Sequence, residues 1–89
     1  MKVIIKYFKT ERKPIKIELP ELSLKMKGEA VKALQVLLIG YGYSCGKTGA
    51  DGDFGNNTAN ALKSYQKDNK LIIDGICGVN SWVSLLGVK

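Results

Sequence analysis

The stretch "ADGDFGNNTANAL", residues 50–62, decides the fold, because the chain repeats its pattern as "IDGICGVNSWVSL", residues 73–85. Both copies read Asp-Gly, two variable residues, Gly, two further residues, then Thr or Ser and an apolar helical run. An aspartate side chain can bond the backbone two residues on, and the following glycine accepts a positive φ. The motif therefore predicts a turn that starts a helix. We assign this structural role to Asp51, Gly52, Phe54, Gly55, Asp74, Gly75 and Gly78.

Three chemical interpretations of the repeated loop fit the sequence less well. Asp51 and Asp53 have the spacing of the first two calcium ligands of a helix–loop–helix site, but a glycine and a leucine stand where the third ligand and the closing glutamate are needed. The triplet Gly46-Lys47-Thr48 lacks the earlier glycine of a phosphate-binding loop. An acid–base pair of carboxylates needs a cleft that raises one pKa. We predict no metal, no cofactor and no catalysis.

Composition and charge limit the function classes. The 89 residues are 45% apolar and 25% charged, which predicts one globular domain with a small core. The absence of histidine removes most zinc sites and the usual general base. The net charge of +6 lies mainly in residues 1–27, which hold eight basic and three acidic side chains, so it predicts a solvated edge rather than a nucleic-acid stripe.

The sequence shows no targeting or membrane-spanning segment. No apolar run approaches the length of a transmembrane helix, and lysines interrupt the N-terminal stretch "MKVIIKYFKTERK" before any cleavage site, so we predict no signal peptide. The two cysteines, Cys45 and Cys77, lack metal-ligand spacing. They are either two buried free thiols, which we favour, or a disulfide formed in an oxidising compartment. Cys77 occupies the place of Phe54 in the second loop, which suggests an apolar contact.

Periodicity predicts a mainly α fold, a compact three-helix bundle with two Asp-Gly loops. Helices are expected over residues 30–39, from Asn56 or Asn57 as the cap to about Asn69, and over about residues 80–86. Each of the two longer helices carries an apolar residue followed by glutamine, in Leu34-Gln35 and Tyr65-Gln66. The predicted core comprises Leu34, Leu38, Leu62, Tyr65, Trp82 and Leu85.

The N-terminal residues have strand character. Val3 to Phe8 are rich in β-branched and aromatic side chains, and Ile15, Ile17 and Leu19 alternate with charged residues. We predict two extended segments or a hairpin, and because a lone hairpin is marginal in water, it must pack on something. The predicted organisation is an N-terminal segment over residues 1–26 followed by a helical domain over residues 27–89.

Residues 27–87 resemble the small three-helix peptidoglycan-binding module attached to many cell-wall hydrolases. The resemblance rests on the two Asp-Gly loops and on a set of flanking residues that is specific only as a whole. Ser81 stands where the family usually has threonine, and Val79 where proline is common. The flanking residues are Gly28, Val31, Leu34, Gln35, Gly42, Tyr43, Thr58, Tyr65, Gln66, Leu71, Trp82 and Leu85.

The resemblance implies a non-catalytic function: binding peptidoglycan and holding a catalytic domain at the wall. That domain would be an amidase, a muramidase or a peptidase, and the chain would be a fragment of such a hydrolase or work beside one. It also implies action outside the cell, at the wall. Tyrosine suits sugar faces because its ring is flat and its tip polar. We therefore predict a shallow ligand site of Tyr41, Tyr43, Asp53, Asn57 and Thr58.

Two other functions fit single features of the sequence. A DNA-binding helix-turn-helix needs a turn of three or four residues, whereas sixteen residues run from Gly40 to Gly55, and no helix carries a row of base-reading side chains. We expect no nucleic-acid partner and no membrane partner. A protein-interaction or assembly module is compatible with wall binding, because the N-terminal strands could add to a partner's sheet or exchange between copies to give a dimer.

Overall fold

Three α-helices and their connecting loops make up most of the described chain. The computed structural model describes the backbone of residues 3–9 and 14–87 and the side chains of residues 20–87. Upstream of the helices, β1 (Val3–Lys9) pairs with β2 (Pro14–Pro20) in an antiparallel two-stranded sheet. Residues 10–13, where the sequence predicts the connection between these strands, lie outside the described residues.

The helices match the predicted ones to within one residue at each end. They are α1 (Glu29–Gly40), α2 (Asn56–Asp68) and α3 (Val79–Leu86). Glycine is the N-cap residue of every one, and none of the three has a side-chain cap. The prediction that Asn56 or Asn57 caps α2 was wrong, because Gly55 takes the cap position in extended backbone and both asparagines lie inside the first turn. The second glycine of each repeated loop is therefore the residue that immediately precedes the helix.

An entry segment, residues 21–28, crosses both repeated loops and joins them. Leu22 exchanges two backbone hydrogen bonds with Cys77, at 3.2 and 2.8 Å. Further along the entry segment, the Phe54 amide donates to the Met26 carbonyl at 2.9 Å and the Gly28 amide donates to the Gly52 carbonyl at 2.9 Å. The entry segment therefore packs against both loops through its backbone. One contact lies further upstream, where the Trp82 indole donates to the Pro20 carbonyl at 2.8 Å.

The core lies between the three helices, the entry segment and both loops. All six side chains predicted to form it are buried, and Phe54 and Cys77 insert from the loops with no exposed surface. Leu22 adds a buried side chain from the entry segment, because its backbone pairing fixes that side chain against the second loop. Leu86, at the end of α3, is exposed.

The first two helices end in the same hydrogen-bonded turn. The Tyr43 amide donates to the Leu38 carbonyl at 2.9 Å, and the Leu71 amide donates to the Gln66 carbonyl at 2.8 Å. This six-residue return requires a left-handed residue just past the helix, which favours glycine. Gly42 meets the requirement after α1 with φ 96°, whereas Lys70 adopts φ 59° after α2. The second turn therefore carries a local strain that the first does not.

Candidate functional site

Both Asp-Gly loops fold into the turn that the sequence predicts. In the first loop the Asp53 amide donates to Asp51 Oδ1 at 2.9 Å, and in the second the Ile76 amide donates to Asp74 Oδ1 at the same distance. The glycine after each aspartate has a positive φ, 79° and 69° respectively. Each aspartate therefore bonds the backbone two residues on, in the turn that the motif predicts.

A buried glutamine holds the first loop from behind. Gln35, on α1, is fully buried, and its Oε1 accepts a hydrogen bond from the Gly52 amide at 2.7 Å. Its Nε2 lies within hydrogen-bond distance of Asp51 Oδ1, the Asp53 carbonyl and Thr58 Oγ1, at 3.1, 3.0 and 2.9 Å. Buried polar groups are retained where every member finds a partner. One amide thus ties α1, the loop and the first turn of α2 together.

Gln66 repeats this arrangement in the second loop. Its Oε1 accepts from the Gly75 amide at 3.0 Å. Its Nε2 lies 3.0 Å from Asp74 Oδ1, 3.1 Å from the Ile76 carbonyl and 3.1 Å from Ser81 Oγ. The sequence shows the paired glutamines, but their role depends on each loop folding back onto the helix that precedes it.

Hydrogen bonds also lower the pKa of Asp51 in the first loop. The Asp53 amide, the Thr48 hydroxyl and the Gln35 amide, in that order, hold the pKa of Asp51 below the usual range of an aspartate. The carboxylate is therefore ionised at neutral pH, and it already accepts hydrogen bonds from within the protein. A general acid needs the opposite shift, towards a raised pKa. The electrostatics of Asp51 match a structural role.

Four of the five predicted ligand residues, Tyr43, Asp53, Asn57 and Thr58, line two adjoining grooves. We call these the tyrosine groove, which includes Tyr43, and the first-loop groove, which includes Asp53. Asn57, on the exposed side of the first turn of α2, lines both and joins them. The hydroxyl of Tyr43 donates to Asp68 Oδ2 at 2.6 Å, and this bond raises the pKa of the tyrosine. The surface from Tyr43 through Asn57 to Asp53 is polar and open.

Thr58 borders the first-loop groove with little exposed surface, and Tyr41 lies outside both grooves. Thr58 is 2% exposed, and its hydroxyl accepts the hydrogen bond from Gln35, so it faces the loop interior. Tyr41 is exposed, but it lines neither groove: its hydroxyl donates to the Leu85 carbonyl at 2.7 Å. The rings of Tyr41 and Tyr43 both lie 5.5 Å from the ring of Tyr65. Tyr41 therefore packs towards α3.

Residues 27–85 match a protein-family model described as "Putative peptidoglycan binding domain". The chain belongs to this family. The matched residues contain both Asp-Gly loops and both buried glutamines, so the repeated hydrogen-bond pattern lies within the peptidoglycan-binding domain.

Proteins similar to this peptidoglycan-binding chain include cell-wall enzymes. The amidase CwlL of Bacillus licheniformis, an N-acetylmuramoyl-L-alanine amidase, is 49% identical over 51 residues, which cover 57% of this chain and 14% of the amidase. The crystal structure of the SleB N-terminal domain superposes with a TM-score of 0.71 at 32% identity, covering 76% of this chain and 90% of that domain. The Burkholderia AP3 phage endolysin gives a TM-score of 0.68 at 32% identity, covering 74% of this chain and 24% of the endolysin.

The grooves of this peptidoglycan-binding domain contain polar residues that sequence reasoning missed. Asn56 and Thr48 line the first-loop groove, and Asn60 and Ser44 line the tyrosine groove. A signal for the asparagines was present in "NNTAN", because residues three and four apart share one helix face. Threonine at the third position of that run turns inwards to Gln35, which leaves the asparagines outside.

Both cysteines of the domain are free and buried, as the favoured interpretation predicts. Burial raises the pKa of the Cys45 thiol, and it raises that of Cys77 further because Cys77 has no exposed surface. A thiolate is the nucleophilic form of cysteine, so these shifts disfavour reactivity. Both side chains serve packing.

Proposed function

We propose that this chain is a non-catalytic module that binds peptidoglycan through the surface from Tyr43 to Asp53 and holds a cell-wall hydrolase on its substrate. The observation that carries the proposal is the rigid, polar outer face of the first loop. The inner face of the loop is fixed to the buried Gln35, while Asp53 and Asn57 remain exposed. A preformed surface loses little conformational entropy when it binds a ligand.

The described residues favour binding over catalysis. Hydrogen bonds from neighbouring groups lower the pKa of Asp51, and its bond to the Asp53 amide gives it a structural role in the loop. Residues 20–87 contain no group of three metal-ligating side chains. In the same residues no helix has the length and apolar content needed to cross a bilayer. The match to a peptidoglycan-binding family and to a cell-wall amidase supports action at the wall, outside the cell.

The hydrolase partner follows from the relatives. The chain covers 14% of the CwlL amidase and 24% of the AP3 endolysin, so these relatives carry most of their length outside the matched module. We therefore propose an amidase, a muramidase or a peptidase as the catalytic partner. Attachment to the wall raises the local concentration of such an enzyme on its substrate.

Co-sedimentation with insoluble peptidoglycan tests the proposal. We expect the protein to pellet with peptidoglycan at physiological salt and not with chitin or DNA-cellulose. The double variant Asp53→Ala/Asn57→Ala should weaken pelleting about tenfold, because each lost hydrogen bond contributes roughly 0.5–1.5 kcal/mol. Val36→Ala, on the exposed face of α1, is the matched control and should pellet as the wild type does. Equal pelleting of the double variant and the wild type would reject this surface.

The N-terminal strands support a second proposed function, assembly. A two-stranded sheet has two edges, and an edge strand can pair with a partner's sheet or with another copy. Deletion of residues 1–19 keeps the Pro20 carbonyl that accepts from Trp82, so the helical unit should remain intact. Size-exclusion chromatography with light scattering should then show a monomer for the shortened chain and a dimer for the full chain. A monomer for both would reject assembly through these strands.

A further inference from the structure

The first repeated loop is longer than the second. After α1 the six-residue return ends at Tyr43, and Asp51 follows eight residues later. After α2 the return ends at Leu71, and Asp74 follows three residues later. The five additional residues of the first loop are residues 44–48, "SCGKT", which we call the insert. The Asp-Gly turn itself does not require the insert, because the second loop forms the same turn without one.

The insert contributes to both grooves of the proposed binding surface. Ser44 and Gly46 line the tyrosine groove, and Cys45 and Thr48 line the first-loop groove. The side chain of Cys45 is buried in the core, and the hydroxyl of Thr48 bonds the loop aspartate, so the insert is held on both sides of Gly46. The Gly46 amide donates to Ser44 Oγ at 3.2 Å, and its carbonyl accepts from the Gly49 amide at 3.1 Å. The insert is therefore fixed in place.

The side chain of Asn57 lies directly against the insert. A Cβ atom at Gly46 would lie 2.4 Å from Asn57 Nδ2, 3.0 Å from its Cγ and 3.2 Å from its Cβ. Because hydrogen bonds fix the insert, the Asn57 amide would have to move away. That amide lies where the two grooves meet, since Asn57 lines both of them. Among the described residues no group hydrogen-bonds to it, so its donors and acceptor are available to a ligand.

We propose that Gly46 is a positioning residue of the wall-binding surface. Its missing side chain leaves room for the Asn57 amide at the junction of the two grooves, so that one segment of peptidoglycan occupies both grooves at once. Gly46 acts through Asn57 and does not itself need to touch the ligand. The proposal rests on the proposed wall-binding function and adds to it the residue that joins its two halves.

Backbone conformation is the competing reason for a glycine at this position. Gly46 has φ 89°, in the left-handed region that disfavours a side chain. Gly49, in the same loop, has φ 58° but lines neither groove, and a Cβ atom there would have no neighbour within 4 Å. Gly46→Ala therefore combines backbone strain with displacement of the Asn57 amide, whereas Gly49→Ala introduces strain alone.

Co-sedimentation with insoluble peptidoglycan, beside urea unfolding of each variant, tests the proposal. We expect Gly46→Ala to raise the dissociation constant about fivefold, the usual effect of losing one hydrogen bond. Gly49→Ala should lose stability and still bind as the wild type does. Asn57→Ala should also weaken binding about fivefold, and adding Gly46→Ala to it should cause no further loss, because the Nδ2 and Cγ atoms are gone. The side-chain amide NMR signal of Asn57 should move in Gly46→Ala and stay in Gly49→Ala.

Asn57→Gln tests the position of the amide without straining the backbone. It keeps the amide but moves it outwards by one methylene, and glutamine is a good helix former, so α2 should remain folded. We expect the same loss of about fivefold as in Asn57→Ala. Binding equal to that of the wild type would show that the position of the amide is not needed and would overturn the proposal, even where Gly46→Ala fails to fold.

The remaining outcomes separate this proposal from the broader one. Wild-type binding by a folded Gly46→Ala, an equal loss in Gly49→Ala, or additive losses in Gly46→Ala/Asn57→Ala would each overturn the positioning role while wall pelleting persists. Peptidoglycan strands solubilised with a muramidase should shift the backbone amide signals of Asn60, in the tyrosine groove, and of Asn56, in the first-loop groove. Shifts confined to one groove would overturn the joint site. Failure of the wild type to pellet would instead reject the proposed function.

Discussion

Replacing Gln35 with methionine is the sharpest test of the hydrogen-bond pattern that supports the first loop. Methionine has the same unbranched length, so the Gln35→Met side chain fills the site while removing the amide. We expect the free energy of unfolding to fall by about 3 kcal/mol. Loss of packing alone would cost much less, since volume-conserving substitutions usually cost below about 1.5 kcal/mol.

The magnitude follows from the partners that Gln35 leaves behind. The buried Gly52 amide has its acceptor in Gln35 Oε1, and an unsatisfied buried donor costs about 1–3 kcal/mol. The buried Thr58 hydroxyl loses its donor, which adds about 1 kcal/mol. Asp51 Oδ1 keeps the Asp53 amide, and the Asp53 carbonyl keeps the Gly55 amide, so these two acceptors add little. The total is about 2–4 kcal/mol.

Urea unfolding followed by circular dichroism measures this loss. A chain of 89 residues has a free energy of unfolding of roughly 4–13 kcal/mol, so the expected change is a large part of the total. Gln66→Met provides the matched variant, because it removes the hydrogen-bond partner of the Gly75 amide and of the Ser81 hydroxyl in the second loop. Amide exchange should accelerate first at Gly52 in one variant and at Gly75 in the other. A loss below about 1 kcal/mol in both variants would refute the argument.

Two further predictions concern the loop ends and pH. Lys70→Gly should raise the free energy of unfolding by about 0.5–1 kcal/mol, because glycine adopts φ 59° without strain. The control Lys67→Gly, inside α2, should lower the free energy of unfolding by about 1 kcal/mol. Urea midpoints that fall equally in the two variants would contradict this prediction. The low pKa of Asp51 means that its charged form stabilises the fold above the ordinary aspartate pKa of about 3.9 and that this contribution is lost as pH falls through the folded-state value. The stability advantage of the wild type over Asp51→Asn should therefore shrink on acidification, and a difference independent of pH would argue against it.

Local patterns predicted the helices and the turns well, because their causes are local. The Asp-Gly pair determines the turn through one side chain and one permissive φ, and the apolar spacing of α1 and α2 follows from a single helix face. The entry segment was harder to assign. Leu22 is buried by backbone pairing with Cys77, 55 residues away, and a short stretch such as "ELSLKMKGE" gives no periodic signal for such a contact.

The candidate site was predicted only in part, because polar residues near a loop can face either way. Thr58 and Asn57 are neighbours with similar chemistry, yet the threonine turns to Gln35 and the asparagine to the grooves. The direction of each side chain depends on how α2 is rotated relative to the glutamine on α1. That rotation is set by the packing of the two helices and not by the local sequence. Tyr41 and Tyr43 differ in the same manner, since one donates to α3 and the other to Asp68 on α2.

The internal repeat separates the residues that fold the loop from those that face outwards. Positions that keep their chemistry in both copies, such as Asp51 with Asp74 and Thr58 with Ser81, are those bonded to a buried glutamine. Outward positions such as Asp53 and Asn56 have diverged, to Ile76 and Val79 in the second copy. Phe54 and Cys77 are the exception, because both are buried yet very different in volume. The entry segment pairs Met26 with the larger residue and Leu22 with the smaller, so one segment joins both loops through its backbone.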